Sequence, residues 1–181
     1  MEDKEIVEKF SQPTLKNIAF DSLVRKYQQK IYWHIRKMVI DHEDANDLTQ
    51  DAFVKIWKNL HNFQGGSQLY TWLYRIATNE CLTFLEKKKR NFLTSIDDVN
   101  KELAEKLDSG HLISGDEIQM RLQKALLTLP DKQRLVFNMK YFDDLTYDEI
   151  AEITHTSVGA LKASYHLASK KIEEFIINTE L

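Results

Sequence analysis

Three aspartates, Asp44, Asp47 and Asp51, stand at i, i+3 and i+7 in the stretch DHEDANDLTQDAFVKIW (41–57). On a helix that spacing gathers the carboxylates on one face. Clustered oxygen ligands of this kind suit magnesium, and through it hydrolysis. The sequence gives such a centre no company: no nucleophile, histidine relay or second acidic cluster of matching spacing is evident, and no C-x-x-C or H-E-x-x-H spacing offers another metal site. A solvated or protein-binding face is the better reading of these acids. The chain is therefore expected not to be an enzyme, with no catalytic residues, no metal and no cofactor.

A second constellation lies in YTWLYRIATNE (70–80). With Leu69, Leu73, Ile76, Ala77 and Phe84 facing a core, helical geometry puts Tyr70 and Tyr74 on one flank and Trp72, Arg75 and Asn79 on the other. The densest positive run, Lys87-Lys88-Lys89-Arg90, follows. Rings interleaved with basic groups suit unpaired bases, because every base offers a π-face while cations hold the strand's backbone. Taken alone, the same rings suit the rim of a small bundle core.

The elements that must position these groups read as helices. Only 5 Gly and 2 Pro, with apolar spacing of three and four, predict an all-α protein. Phe20, Leu23, Val24, Tyr27, Ile31, Ile35 and Met38 mark one long amphipathic helix. Asp41 can cap the next, whose buried stripe is Ala45, Leu48, Ala52, Ile56 and Leu60. Gly65 and Gly66 then permit a tight loop, and Ser67 is placed to cap a third helix running to about Lys88.

Residues 91–117 hold seven acids, two lysines and two Ser-Gly pairs, and read as an acidic linker with at most a short helix near 99–107. It divides the chain into two small helical modules, 10–90 and 118–181. In the second, Ile118, Leu122, Ala125, Leu126 and Leu129 form a helix that Pro130 stops. A helix over 131–142 and a turn at Asp143 and Asp144 follow. Thr146 with Glu149 is a capping box opening a short helix to Thr154, and after the turn HTS, Ser157 is positioned to cap a final long helix.

A capped short helix, a three-residue turn and a longer helix form a helix-turn-helix, although the same spacing serves equally for a hairpin inside a bundle. On the last helix Val158, Leu161, Tyr165, Ala168 and Ile172 make the core stripe. Gly159, Ala163, His166 and Lys170 lie opposite, flanked by Lys162. Small residues there let the backbone approach a groove floor, and His166, Lys162 and Lys170 can reach base edges or phosphates.

Charge is segregated: residues 10–90 carry +5, the linker −5 and 118–181 only −1. A basic half joined to an acidic connector points to nucleic acid. Yet a module of net −1 releases few counterions, so something else must bring it to DNA. Cys81 is alone, which suits a reducing compartment. The start MEDKEIVEKF is charged where a signal peptide needs an apolar run, and no stretch approaches the roughly 20 apolar residues of a span, so a cytoplasmic protein without direct membrane insertion is expected.

Residues 41–57 together with FQGGSQLYTWLYRIATN (63–79) resemble the core-binding and promoter-melting module of bacterial sigma factors of the extracytoplasmic-function (ECF) group. ALLTLPDKQRLVF (125–137), LTYDEIAEI (145–153) and SVGALK (157–162) resemble that group's promoter-recognition module. The last helix is similar to versions found among Bacteroidetes. The resemblance implies a transcription initiation factor that gives core RNA polymerase its promoter specificity. Asp44, Asp47, Leu48, Gln50, Asp51 and Phe53 match the segment docking on the polymerase clamp helices. Phe63, Ser67, Tyr70, Thr71, Trp72, Arg75 and Asn79, with the cations Lys87, Lys88 and Arg90 behind them, match the segment that captures the melted minus-ten strand. Ser157, Gly159, Lys162, Ala163, His166 and Lys170 would read the minus-thirty-five duplex. An anti-sigma partner, often membrane-bound in this group, is implied as well. Polymerase would supply much of the DNA affinity, which accounts for the weakly charged second module.

Some positions depart from the family pattern. His155 stands where glycine is usual, Thr154 and Thr156 replace apolar residues, Thr83 and Glu86 stand for aspartate and arginine, and Ala163 and Ser164 replace polar or basic residues of the recognition helix. A dimeric helix-turn-helix regulator acting without polymerase is the main rival, and it leaves the first module idle.

Overall fold

A computed structural model describes residues 1–91, 104–105 and 117–178, and every regular element among them is helical. The chain forms α1 (Asp3–Phe10), α2 (Lys16–Val39), α3 (His42–Asn59) with a 3-10 turn at Leu60–Asn62, and α4 (Leu69–Asn91). These are followed by α5 (Glu117–Leu127), α6 (Asp131–Tyr141), α7 (Tyr147–Thr154) and α8 (Val158–Asn178). The linker expected over 91–117 and its short helix fall outside the described residues, except at Asn91, Ala104, Glu105 and Glu117, which are helical.

The first bundle is built on α2. Leu23, Tyr27, Ile31, Ile35 and Met38 are buried as their spacing requires, while Phe20 and Val24 lie at the edge. The bundle begins earlier than residue 10. Helix α1 buries Ile6 and Phe10, and its Asp3 accepts hydrogen bonds from the Tyr27 hydroxyl at 2.7 Å and Lys26 Nζ at 2.7 Å. Phe10 meets the Trp57 ring edge-on at 5.3 Å, and Lys16 stands 4.5 Å over that indole. Asp41 caps α3, its Oδ1 accepting from the Asp44 N–H at 3.0 Å. Gly65 takes φ +73° in the loop before α4. The first bond of α4 runs from the Trp72 N–H to the Gln68 carbonyl, so this helix starts one residue later than a Ser67 cap requires.

The second bundle follows its local signals closely. Pro130 precedes α6, and its carbonyl accepts from the Arg134 N–H at 2.9 Å. Thr146 and Glu149 complete both halves of the capping box: the Thr146 N–H donates to Glu149 Oε2 at 2.7 Å and the Glu149 N–H to Thr146 Oγ1 at 3.3 Å. His155 ends α7 in the left-handed region at φ 53°, which histidine visits more readily than most residues. Ser157 Oγ accepts from the Ala160 N–H at 3.3 Å, and Leu161, Ala168 and Ile172 turn inward.

The two bundles pack against one another, α6 on α2 and α7 on α4. Leu135, Val136, Met139, Leu145, Ile150, Ile153 and Leu161 belong to the same apolar cluster as the core of α1 to α4. Polar groups are buried along this seam. Arg134, 1% exposed, donates through Nη2 to the Met38 carbonyl at 3.1 Å, at the end of α2 where open carbonyls and the helix dipole favour a cation. Asp143 accepts from Lys37 Nζ and lies 3.2 Å from His34 Nδ1, while His34 Nε2 is 2.9 Å from Thr78 Oγ1. Lys89 pairs with Asp131 at 2.5 Å. Arg134 Nε and Nη1 and Asn138 Oδ1 find no partner among the described residues, and each such buried group costs on the order of 1–3 kcal/mol.

Two outcomes follow for stability. Thr146→Ala removes the N-cap of α7 and should lower the unfolding free energy by about 1 kcal/mol in denaturant titration, with an unchanged m-value. For Asp143, burial alone would raise the pKa, but the His34 hydrogen bond and charge together with the Lys37 ammonium outweigh it and hold the carboxyl below its usual range. A carboxyl depressed in the folded state contributes stability above its ordinary pKa of about 3.9, and that stability is lost as pH falls through the folded value. Stability should therefore decline below about pH 5, and Asp143→Asn should flatten that decline; parallel pH curves for the two proteins would contradict the assignment.

Candidate nucleic-acid interface

Helix α4 divides its aromatic side chains by depth. Tyr74 is buried against the His34 ring, centroids 4.7 Å apart, so it is a seam residue and does not share an open flank with Tyr70. Tyr70 stays half-buried, edge-on to Tyr74 at 6.1 Å, and its hydroxyl donates to Glu149 of α7. Burial, reinforced by that carboxylate, pushes the Tyr70 pKa up to about 12. The Glu149 carboxyl, which burial alone would raise, is held below its usual value by Tyr70 and Thr146.

On the other flank Trp72 packs on Phe63 at 5.6 Å, leaving both rings half-exposed. Together with Asn62, Gln64, Gly66, Ser67 and Arg75 they line a pocket of about 440 Å³, whose remaining wall is Glu152 and His155 from the second bundle. This pocket is large enough for a nucleobase, with rings for stacking and a guanidinium for a phosphate or base edge. Asn79 is exposed, whereas Thr71 is 2% exposed and serves the packing of α4.

The basic run at the end of α4 is split. Lys87 and Arg90 are exposed, Lys88 lies 3.8 Å from Asp44, and Lys89 is engaged with Asp131. On α3, Asp47, Gln50 and Asp51 form an exposed polar face with Asp44 half-exposed beside it. Leu48 and Phe53 are in the core, where they support that face from beneath. Among the described residues no group of three acids, histidines or cysteines is arranged to hold a metal ion.

Along α8, Ser157, Gly159, Lys162, Ala163, His166 and Lys170 are all exposed, on the side away from the buried Leu161, Ala168 and Ile172. A Cβ at Gly159 would meet nothing within 4 Å, so the helix start presents bare backbone. Lys162 stands 5.8 Å over the Tyr147 ring, and Lys170 lies 3.9 Å from Glu174. Ser157 is already engaged as the cap. Glu149, Glu152 and Asp143 escaped sequence reasoning as parts of a surface next to α4, because their local roles as cap, helix face and turn were sufficient to explain them.

Comparison with known proteins agrees with this geometry. The family described as Sigma-70 region 2 matches residues 23–91, and that described as Sigma-70, region 4 matches residues 119–172. The RNA polymerase sigma-H factor of Pseudomonas aeruginosa is 33% identical, over 96% of this chain and 93% of its own. The ECF RNA polymerase sigma factor SigW of Bacillus subtilis is 32% identical over 82% and 83% of the two chains, and the ECF sigma-E factor of Escherichia coli 32% over 86% and 85%. Among solved structures, the sigma factor RpoE in complex with the anti-sigma factor NepR, from Bartonella quintana, superposes with a TM-score of 0.67 at 22% identity, covering 87% of this chain and 96% of that one. CnrH in complex with the cytosolic domain of CnrY gives 0.69 at 21%, covering 97% of each chain. Among the described residues no helix is long and apolar enough to cross a membrane. Both halves of the relatives are thus present, in order and at near full length, and the chain belongs to the ECF group of sigma-70 factors, the promoter-specifying initiation factors of bacterial RNA polymerase.

Proposed function

We propose that three separate surfaces divide the work of this sigma factor. The exposed face of α3, carrying Asp44, Asp47, Gln50 and Asp51 over the buried Leu48 and Phe53, docks on core RNA polymerase at its clamp helices. The pocket between Phe63, Ser67, Trp72 and Arg75, continued by Tyr70 and Asn79 and by the exposed cations Lys87 and Arg90, captures the melted minus-ten strand, while the buried Thr71 supports α4 from within and Lys88 stays beside Asp44. The open side of α8, from Ser157 through Gly159, Lys162, Ala163 and His166 to Lys170, enters the major groove of the minus-thirty-five element.

The observation that carries this reading is the Trp72–Phe63 pair, half-exposed at the mouth of a pocket that also holds Arg75. Large rings left partly open beside a cation offer stacking to an unpaired base, and that stacking offsets part of the cost of opening the duplex. The α8 face supports duplex reading differently, through small residues that admit close approach and an alanine methyl that can meet a thymine methyl. Charge supports a division of labour too, since a module of net −1 gains little from counterion release and relies on polymerase for retention. The protein acts where its polymerase is, in the cytoplasm. The anti-sigma factor NepR bound to RpoE, and the cytosolic domain of CnrY bound to CnrH, motivate an inhibitory protein partner here as well, of the kind that in this group is often membrane-bound.

Reversing charge at both Asp47 and Asp51 should abolish co-purification with core polymerase while leaving circular dichroism unchanged, because both side chains are exposed. Full retention of binding would remove α3 from the docking role. Trp72→Ala should spare polymerase binding and lower promoter opening about tenfold or more, the equivalent of one lost base stack, as read by permanganate reactivity of thymines. Undiminished reactivity would make Trp72 a packing residue only.

A further inference from the structure

None of the three surfaces uses α1, yet α1 forms one wall of a second cleft beside the strand-capture pocket. Its Lys4, Val7 and Glu8 face Phe63, Gln64 and Ser67 across a volume of about 430 Å³, and the latter three also line the strand-capture pocket. We propose that this cleft takes a second unpaired base of the same strand, one that carries an exocyclic amino group, with Glu8 reading that group and Lys4 holding the adjoining phosphate. The proposal rests on the assignment of the α4 pocket to the minus-ten strand.

The path of the strand favours this occupant. Lys87 lies about 20 Å along α4 from Trp72, at 1.5 Å of rise per residue. The α1 cleft lies at the opposite end of that helix, beside Leu69. A strand running from the cations through the pocket therefore meets α1 next. Only the loop 63–67 stands between the two spaces. Gly66 lies outside the left-handed region and a Cβ there would meet nothing within 4 Å, so neither conformation nor packing calls for glycine; its bareness keeps the partition low where the strand crosses.

The charged side chains of α1 divide by use. Asp3 is held by Lys26 and Tyr27, and Glu5 by Lys9. Lys4 and Glu8 stand one turn apart, both exposed, and neither makes an ion pair among the described residues. Lysine before glutamate is the weaker order for an i, i+4 pair, which leaves both tips to the cleft. A carboxylate only accepts hydrogen bonds, so it favours a base with an amino group and repels the ring carbonyls of thymine. The Lys4 ammonium beside it offsets repulsion between Glu8 and the strand's phosphates. Half-buried Val7 and the Phe63 ring give the base an apolar surface to lie on.

The test reads base preference, which a purely structural role for α1 does not move. A genomic promoter recovered by run-off transcription is randomised at each melted position and transcribed by core polymerase with the full-length wild-type chain, Glu8→Gln, Lys4→Ala or Trp72→Ala, and the templates used are sequenced. Wild type should disfavour thymine about fivefold or more at one position close to that whose preference is lost in Trp72→Ala. Glu8→Gln, whose amide can also donate to a carbonyl, should abolish that discrimination and leave the Trp72 position and polymerase co-purification unchanged. Lys4→Ala should lower output several-fold whatever the base, as loss of a phosphate contact does. Identical preferences for wild type and Glu8→Gln overturn the proposal, as does a change confined to the Trp72 position. If Trp72→Ala alters neither preference nor opening, the α4 pocket is itself misassigned and the second cleft falls with it, a result read from that variant alone.

Discussion

A carboxylate that is only 8% exposed needs partners to replace water, and Asp143 finds them on a helix more than a hundred residues earlier, in the Lys37 ammonium and the His34 ring. The turn between α6 and α7 is shaped to deliver it: Asp144 takes φ 53°, which bends the chain so that its neighbour points back at α2. Much of the arrangement of the second bundle follows from that contact. With Asp143 fixed, α6 lies along α2, bringing Arg134 and Asn138 to the open carbonyls at the end of that helix. The chain then leaves the turn in the direction that sets α7 across α4, where Glu149 meets Tyr70.

The seam mixes two kinds of contact: Leu135, Val136, Met139, Leu145, Ile150, Ile153 and Leu161 continue the apolar core of the first bundle, and polar groups are buried among them. Within the first bundle the contacts are apolar and aromatic, Ile6, Leu23, Ile31, Ile56 and Leu73 among them, and burial of such side chains stabilises without directional demands. Across the seam an arginine, a histidine, an asparagine and an aspartate are withdrawn from water, and their value lies in selecting one docking geometry more than in net stability.

Much of this was legible in the sequence where the signal is local. The stripe of α2, the Asp41 cap, the Thr146–Glu149 box and the left-handed His155 are decided by residues within one or two turns, and periodicity or capping chemistry names them directly. The exposed sides of α3 and α8 follow from the same arithmetic once the buried stripe is known. Helix α1 was missed because eight residues with Ile6, Val7 and Phe10 as their main apolar groups look like a charged leader; its order comes from Trp57 and Tyr27, not from its own pattern. Spacing sets Tyr74 with Tyr70 on a flank of α4, outside the core stripe, for a related reason. Helical spacing gives the direction of a side chain but not what lies beyond it, and what lies beyond Tyr74 is His34 and the second bundle. Asp143 read as a turn residue, which it is, while its second role needs a partner 109 positions away.

The charge pattern acquires a second meaning from this geometry. The surplus of +5 on residues 10–90 was first an argument for nucleic acid, yet Lys37 and Lys89 are taken up by acids of the protein's own second half. A tethered partner meets these cations at the high effective concentration that its linker imposes, whereas a partner in solution has no such advantage. Both interactions weaken with salt, so ionic strength alone does not choose between them. Geometry fixes the intramolecular contacts: Asp143 and Asp131 are carried to Lys37 and Lys89 by a bundle already packed on α2 and α4, so the positive charge left for any other partner is smaller than the count of +5 suggests.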